Sequence, residues 1–435
     1  MRPPGFALRL PLALALVLVF SVTGARAQLN DAEQRIVAAV KERSVPALTF
    51  LERTVRVNSG TLNADGVREV GKLYRAELDN LGFATKWVDM PADMHRAGHL
   101  IATRDGARGK RLLLLGHMDT VFESNSKVVP WDVHGDRVRG QGVTDMKGGN
   151  VILLEALRAL RSAGVLDGAE ISVMLTGDEE RMGRPVELAR ADLIEIARRS
   201  DAVLSFEGNG PGNTVAIARR SAGGWALDVT AKPGHSSRVF TSALGYGAVF
   251  EAARILNAFR ETLIESGVTF NPGVALGGTT VDYADLTASG SAFGKSNVIA
   301  KKFSLRGDLR YLTPEQGARV KQRMREIVGA SLPGTSATIQ FTDSYPPMPP
   351  TDDGRKLLEM YSQASLDAGL GPARAGDPDL RGAGDVQHAA PFVAGIDGLG
   401  ARGSGAHTDD EDLEMASIER GAIRAALLIH RLTRQ

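Results

Sequence analysis

Apolar positions recur in two rhythms along this chain, and the change of rhythm divides it. Over 31–54 and 67–80 they return every three or four residues, the spacing of amphipathic helices. Short apolar runs follow: "HLIATR" (99–104), "RLLLLG" (111–116), "EISVMLTG" (170–177) and "DAVLSFEG" (201–208). Each has the length of a strand, and "VILLEALRALR" (151–161) is the helix between them. Strands alternating with helices predict an α/β domain whose mainly parallel sheet is covered on both faces. Ligands of such sheets gather outside the carboxyl ends of the strands.

Near residue 215 the character changes. "WALDVTAKPGHSS", a helix over 243–266, "GVALGGTTVD", "NVIAKKFSLRGDLRY", a helix over 314–330 and "ATIQFTD" follow in order. That is β-α-β-β-α-β, the pattern of a small ferredoxin-like α+β domain. The prolines of "SYPPMPPTDDG" then punctuate the chain, and 355–435 returns to helix and strand. The expected organisation is a first domain in two parts, 28–215 and 344–435, interrupted by an inserted domain, 216–343.

The length of 435 residues suits two cores better than one. Lys+Arg and Asp+Glu nearly cancel, 52 against 51, so no basic excess calls for nucleic acid or an anionic membrane. The first 27 residues differ from the rest: arginines, an apolar run over 10–22, then Ala25-Arg26-Ala27. They read as a signal peptide cut before Gln28, with a periplasmic or secreted product that has no membrane segment after cleavage. The chain has no cysteine, so disulfides and thiolate ligands are excluded and any metal site must use histidine and carboxylate.

Such residues stand at the predicted strand ends. In "LLLLGHMDTVF", His117 and Asp119 close an apolar strand two residues apart and face the same way. "GQGVTDMKGG" sets Asp145 in a glycine-rich turn ahead of a helix. "TGDEERMG" sets Glu179 and Glu180 beyond one strand, "SFEG" sets Glu207 beyond the next, and "GAHTDDE" sets His407 in a late loop. Two imidazoles with several carboxylates suit zinc or a similar first-row divalent ion. Charge favours two ions: their +4 meets −3 from Asp145, Glu180 and Glu207, and a bridging hydroxide, the nucleophile of a hydrolase, cancels the remainder. Asp119 is then expected behind His117, accepting from its ring and fixing its tautomer. Glu179, beside a ligand but free itself, is the candidate general base. Each motif alone has a plain reading as a turn or a surface histidine; five in order do not.

"GHMDTV", "GQGVTDMKGG", "TGDEE" and "AHTDDE" resemble the signature blocks of the dinuclear zinc metallopeptidases that include glutamate carboxypeptidase, aminoacylase and succinyl-diaminopimelate desuccinylase. The resemblance covers nearly all of the chain after the signal. It implies a zinc-peptidase catalytic domain with a lid that dimerises, and two Zn2+, with Co2+ or Mn2+ as possible substitutes. It implies that Asp145 bridges the ions, with His117 and Glu207 on one, Glu180 and His407 on the other, and a cis peptide at Asp145-Met146. In the lid, "KPGHSSR" resembles the block whose histidine, here His235, reaches the neighbouring subunit's site. "SNVIA" and "GDLRY" resemble blocks that hold the substrate carboxylate, here through Asn297 and Arg310; an arginine fork suits that group. "RGAGDVQHAA" resembles a glycine-rich substrate loop, with Gly384-Asp385 in place of the commoner Gly-Thr-Asp and with His388 given no role. A further departure is Tyr345, in "DSYPPM", where glutamate carboxypeptidases carry an arginine.

The resulting expectation is a secreted metallo-hydrolase of an N-acyl amino acid or short peptide, releasing the C-terminal amino acid. Its rivals are a dipeptidase or aminopeptidase or an N-acyl-diamino acid deacylase on the same fold, a catalytically dead binding protein, and a single-metal structural site.

Overall fold

The computed structural model describes residues 29–285 and 287–434; the expected signal peptide, 1–27, lies outside them. The central sheet has the order Ala84–Val88, His99–Arg104, Ala169–Thr176, Arg108–His117, Ala202–Ser205, Gly395–Ile396. Pairings among the last four strands are parallel, and the two made by His99–Arg104 are antiparallel. Leu112 to Leu115 are buried on both faces, which is why this segment is a continuous apolar run and not an alternation. Helices Gly148–Ser162 and Ala416–Thr433 pack together over one face. Leu193, Ile196 and Ala197 of Ala191–Arg199 pack against Leu113 and Leu115 on the other.

The second sheet has the order Thr269–Gly278, Lys302–Arg310, Ala222–Ala231, Thr335–Tyr345, all antiparallel. With helices Ala248–Thr262 and Pro314–Gly329 it forms the β-α-β-β-α-β unit. Here burial alternates: Trp225, Leu227 and Val229 point into a core with Ile255, Phe259 and Met324, while their neighbours face outward. One covered face gives period two; two covered faces give none.

Three elements depart from the sequence pattern. The expected 31–54 helix is two, Asp31–Lys41 and Ser44–Val55, because Pro46 has no N–H to give and is tolerated only in a first turn. The lid helix starts at Ala248, not 243, since Gly245 and Gly247 take φ of 70° and 81°. The strand expected in "GVALGGTTVD" is broken after Gly278, and its end, Thr280–Ala284, forms a hairpin with Ser289–Phe293, where no element was expected. Among the described residues no helix is long and apolar enough to cross a membrane.

Candidate active site

Three neighbouring parallel strands deliver their carboxyl ends to one place. His117 ends Arg108–His117, Glu179 and Glu180 follow Ala169–Thr176, and Glu207 follows Ala202–Ser205. Asp145 comes from the turn that opens helix Gly148–Ser162. In a small antiparallel sheet Asp412–Glu414 pairs with Arg137–Arg139 on one side and Gly403–Ser404 on the other, and so brings the His407 loop over that turn. His407 itself takes a left-handed φ of 66°, a conformation that few residue types other than glycine adopt.

Asp145 stands between the two histidines. Its Oδ1 is 3.1 Å from His117 Nε2, and its Oδ2 is 3.1 Å from His407 Nε2. Glu207 Oε1 lies 3.4 Å from the same nitrogen of His117, and Glu180 Oε2 lies 3.1 Å from that of His407. Two donor sets therefore share one carboxylate: His117, Asp145, Glu207 and Asp145, Glu180, His407. A third grouping, His117 with Glu179 and Glu180, also falls within ligating distance; the first two use each imidazole once and leave Glu179 free. The donor chemistry fits divalent cations. Glu180 Oε1 is buried without a protein hydrogen-bond partner, as a ligand oxygen would be. The field of these acids favours cations: hydrogen bonds to Asp145 and Glu180 push His407 up to about 11, and the same field acts on a divalent ion more strongly. The Asp145-Met146 peptide is cis.

The surroundings of Asp119 differ from the sequence expectation. His117 Nδ1 approaches the backbone carbonyl of Asp119 most closely, at 3.0 Å, with the carboxylate at 3.5 Å. The Asp119 carboxylate instead accepts from the backbone N–H of Glu179 (3.0 Å), that of Glu180 (3.1 Å) and the Thr61 hydroxyl (2.6 Å). It holds the Glu179–Glu180 turn as much as it serves the imidazole. Burial, with Glu207, Asp385 and Glu180 adding repulsion, pushes the Glu179 carboxyl well above the usual carboxylate range.

Several residues of the site had no assigned role in the sequence. Glu411 accepts the N–H groups of Gly142 (3.0 Å), Thr144 (2.8 Å) and Asp145 (2.9 Å), shaping the Asp145 turn. Burial pushes its carboxyl up to about 7 against the pull of those donors. Behind Glu179, the fully buried Arg190 joins Asp178 (2.6 Å) to Asp385 (2.7 Å). Arg219 and Arg381 line the cavity of about 330 Å³ over Asp145, Glu179, Glu180, Glu207 and His407. Only the acids beside "DEE" and in "TDDEDL" offered a sequence signal, and nothing in spacing told them from solvated surface charge.

The lid residues stand apart from that cavity. His235 is exposed, with Nδ1 2.8 Å from Ser237 Oγ, and the Asn297 carbonyl accepts from Ser236 N. Arg310 Nε donates to Asp308 at 3.0 Å. Gly384 is buried beside Arg219 and donates its N–H to Gln387 Oε1 at 2.9 Å; its neighbours Gly382 and Ala383 reach the cavity wall.

Residues 113–431 match peptidase family M20/M25/M40. The chain belongs to that family. It is thus a metallo-hydrolase of amide or peptide bonds, on the fold expected from its pattern. Carboxypeptidase G2 from Pseudomonas sp. (strain RS-16) is 28% identical over 427 residues, covering 96% of each chain. Aminopeptidase PepT from Bacillus cereus superposes with a TM-score of 0.69 at 18% identity, covering 89% of this M20 chain and 98% of its own. The Bacillus subtilis YXEP protein, a dinuclear metal-binding M20 peptidase, gives 0.63 at 13% identity, with 90% and 99% covered.

Proposed function

We propose that this M20 enzyme is a dinuclear carboxypeptidase-type amidohydrolase that releases a C-terminal amino acid from an N-acyl amino acid or short peptide. The observation that carries the reading is the placing of Asp145 between His117 and His407, each with its own glutamate. His117, Asp145 and Glu207 would hold one ion, and Asp145, Glu180 and His407 the other. Zinc held there, or cobalt or manganese in its place, would supply Lewis acidity toward the substrate carbonyl and water. The likeness to carboxypeptidase G2 over 96% of each chain supports the carboxypeptidase side of the choice.

Glu179 takes the proton from attacking water and passes it to the leaving amine. Burial raises the proton affinity of its carboxyl above that of an ordinary carboxylate, the direction a general base needs. Asp119 fixes the backbone on which Glu179 sits. Gly384 belongs to the loop that borders the cavity. On the lid, Asn297 and Arg310 take the free α-carboxylate, Arg310 exchanging Asp308 for the substrate. The enzyme works as a homodimer, with the partner's His235 donating to the developing oxyanion. Phe240, Val249, Phe250 and Phe293, all exposed on the lid, supply apolar surface for that contact. The domain division is 28–215 with 344–435, and 216–343. Export to the periplasm or medium rests on the pattern of residues 1–27.

The test is a panel of N-acyl amino acids and dipeptides, each with free and amidated C-termini and free and blocked N-termini, assayed with added zinc, cobalt or manganese. Turnover that needs the free carboxylate and tolerates a blocked N-terminus is expected. Turnover that needs a free amine instead would make the protein a dipeptidase or aminopeptidase.

A further inference from the structure

Two arginines line the active-site cavity, and among the described residues one of them is in no ion pair. Arg219 and Arg381 both face it, but they are bound differently. Arg219 is buried, paired through Nε with Asp397 at 2.7 Å, and donates to the carbonyls of Gly382 (2.6 Å) and Ala383 (3.2 Å). Its charge is met by Asp397, and it holds the 382–384 loop. Arg381 makes only carbonyl contacts: Nη1 donates to Gly208 at 2.8 Å and Nη2 to Thr214 at a long 3.4 Å. Among the described residues no carboxylate forms an ion pair with it. Glu207, one residue from its Gly208 anchor, turns its Oε1 to His117 instead. A guanidinium carries five N–H groups, so donors remain for a further acceptor. Burial and the charge of Arg219 disfavour the Arg381 cation more than the fields of Asp397 and Glu207, neither of them ion-paired with it, support it, and an arriving anion would add to that support.

We propose that Arg381 is an anion-recognition residue of this cavity and takes a second carboxylate of the substrate, distinct from the α-carboxylate assigned to Arg310. The ligand class is a dicarboxylic amide. The second acid sits either on the side chain of the departing amino acid or on the acyl group. The proposal rests on the amidohydrolase reading. The anchors suit the role: with Gly208 and Thr214 aiming the guanidinium plane, little side-chain freedom remains to be lost on binding. The cavity, about 330 Å³, is small enough that a group held near Glu207 stays within reach of Arg381.

The experiment compares wild type with Arg381→Met on two matched pairs, N-acetylglutamate against N-acetylglutamine and N-succinyl-leucine against N-succinamoyl-leucine. Loss of a charge-assisted hydrogen bond is expected to lower kcat/KM about 10- to 100-fold for the acid of one pair, with its amide within about twofold. The pair that responds identifies which end carries the carboxylate. Equal losses on acid and amide in both pairs, or no loss, would overturn the proposal. Arg381→Gln keeps an N–H for the Gly208 carbonyl and replaces the methionine variant if that fails to fold. Calorimetry with glutarate and glutaramate gives a readout free of turnover. Wild type is expected to prefer glutarate by about tenfold or more, and the variant to lose that preference. If wild type hydrolyses none of the four amides, the functional reading fails, and the calorimetric preference still decides for or against Arg381.

Discussion

The Tyr345 hydroxyl donates a 2.8 Å hydrogen bond to the backbone carbonyl of Glu179 and stands 3.5 Å from its carboxylate Oε1. Tyr345 ends the lid strand Thr335–Tyr345, so the place of the proposed base depends on where the lid strand ends. Tyr345→Phe keeps the ring and its contact with His388, at 5.1 Å between centroids, and leaves the carbonyl unpaired. A lost hydrogen bond to a buried group costs ~1–3 kcal/mol. Turnover is therefore expected to fall about 5- to 100-fold with metal content unchanged. Wild-type kcat in the phenylalanine variant would mean that the contact only joins the lid to the rest of the chain.

Asp145 should matter more to metal content than any other single ligand, because it lies 3.1 Å from both ring nitrogens. Elemental analysis of the purified enzyme is expected to give about two divalent ions per chain, with His407→Ala keeping one and Asp145→Ala neither. One ion per active wild-type chain would rule out the shared-carboxylate arrangement.

His235 is expected to act across a dimer. Glu179→Gln should keep its metal and lose ~10²–10⁴-fold in kcat, and His235→Ala should also be nearly inactive. Mixing the two variants should restore activity, since one site of the heterodimer then has both an intact base and the partner's His235. Subunit exchange without recovery would place His235 in its own chain's site or in no site.

Acid should loosen the His407 loop through Asp412. Its carboxylate accepts from Arg137 Nε at 2.6 Å and from Ser404 Oγ at 2.7 Å, across the base of that loop. The hydrogen bond to Arg137 lowers its pKa to about 2, below the unfolded value of about 3.9. A depressed folded pKa contributes stability that is complete above the unfolded value and is lost as pH falls through the folded one. The Tm difference between wild type and Asp412→Asn should be constant above about pH 4.5 and close to zero near pH 2. A difference that does not change between those limits would show that Asp412 acts without its charge.

The element types and the candidate ligand positions were legible along the chain because both rest on short range. Leu112 to Leu115 announce a strand covered on two faces, and the alternation around Trp225 announces a sheet covered on one. His117 ends one such strand and Glu179, Glu180 and Glu207 follow others closely, so finding the strands found the residues that meet at the candidate site. The helix expected over 243–266 was too long because apolar spacing does not register backbone: Gly245 and Gly247 turn left-handed there.

What tertiary structure alone decided is the partner of each polar group. Glu411 reaches its three N–H donors across 266 to 269 residues, and Tyr345 reaches Glu179 across 166. Asp119 bonds to the Glu179–Glu180 backbone, not chiefly to His117, and Arg219 pairs with Asp397 where Arg381 donates to the Gly208 carbonyl. Hydrophobic periodicity is a local property, set by which face of a helix or strand is covered. A hydrogen bond depends on distance and angle between atoms that meet only after the chain has packed, so no local pattern encodes it.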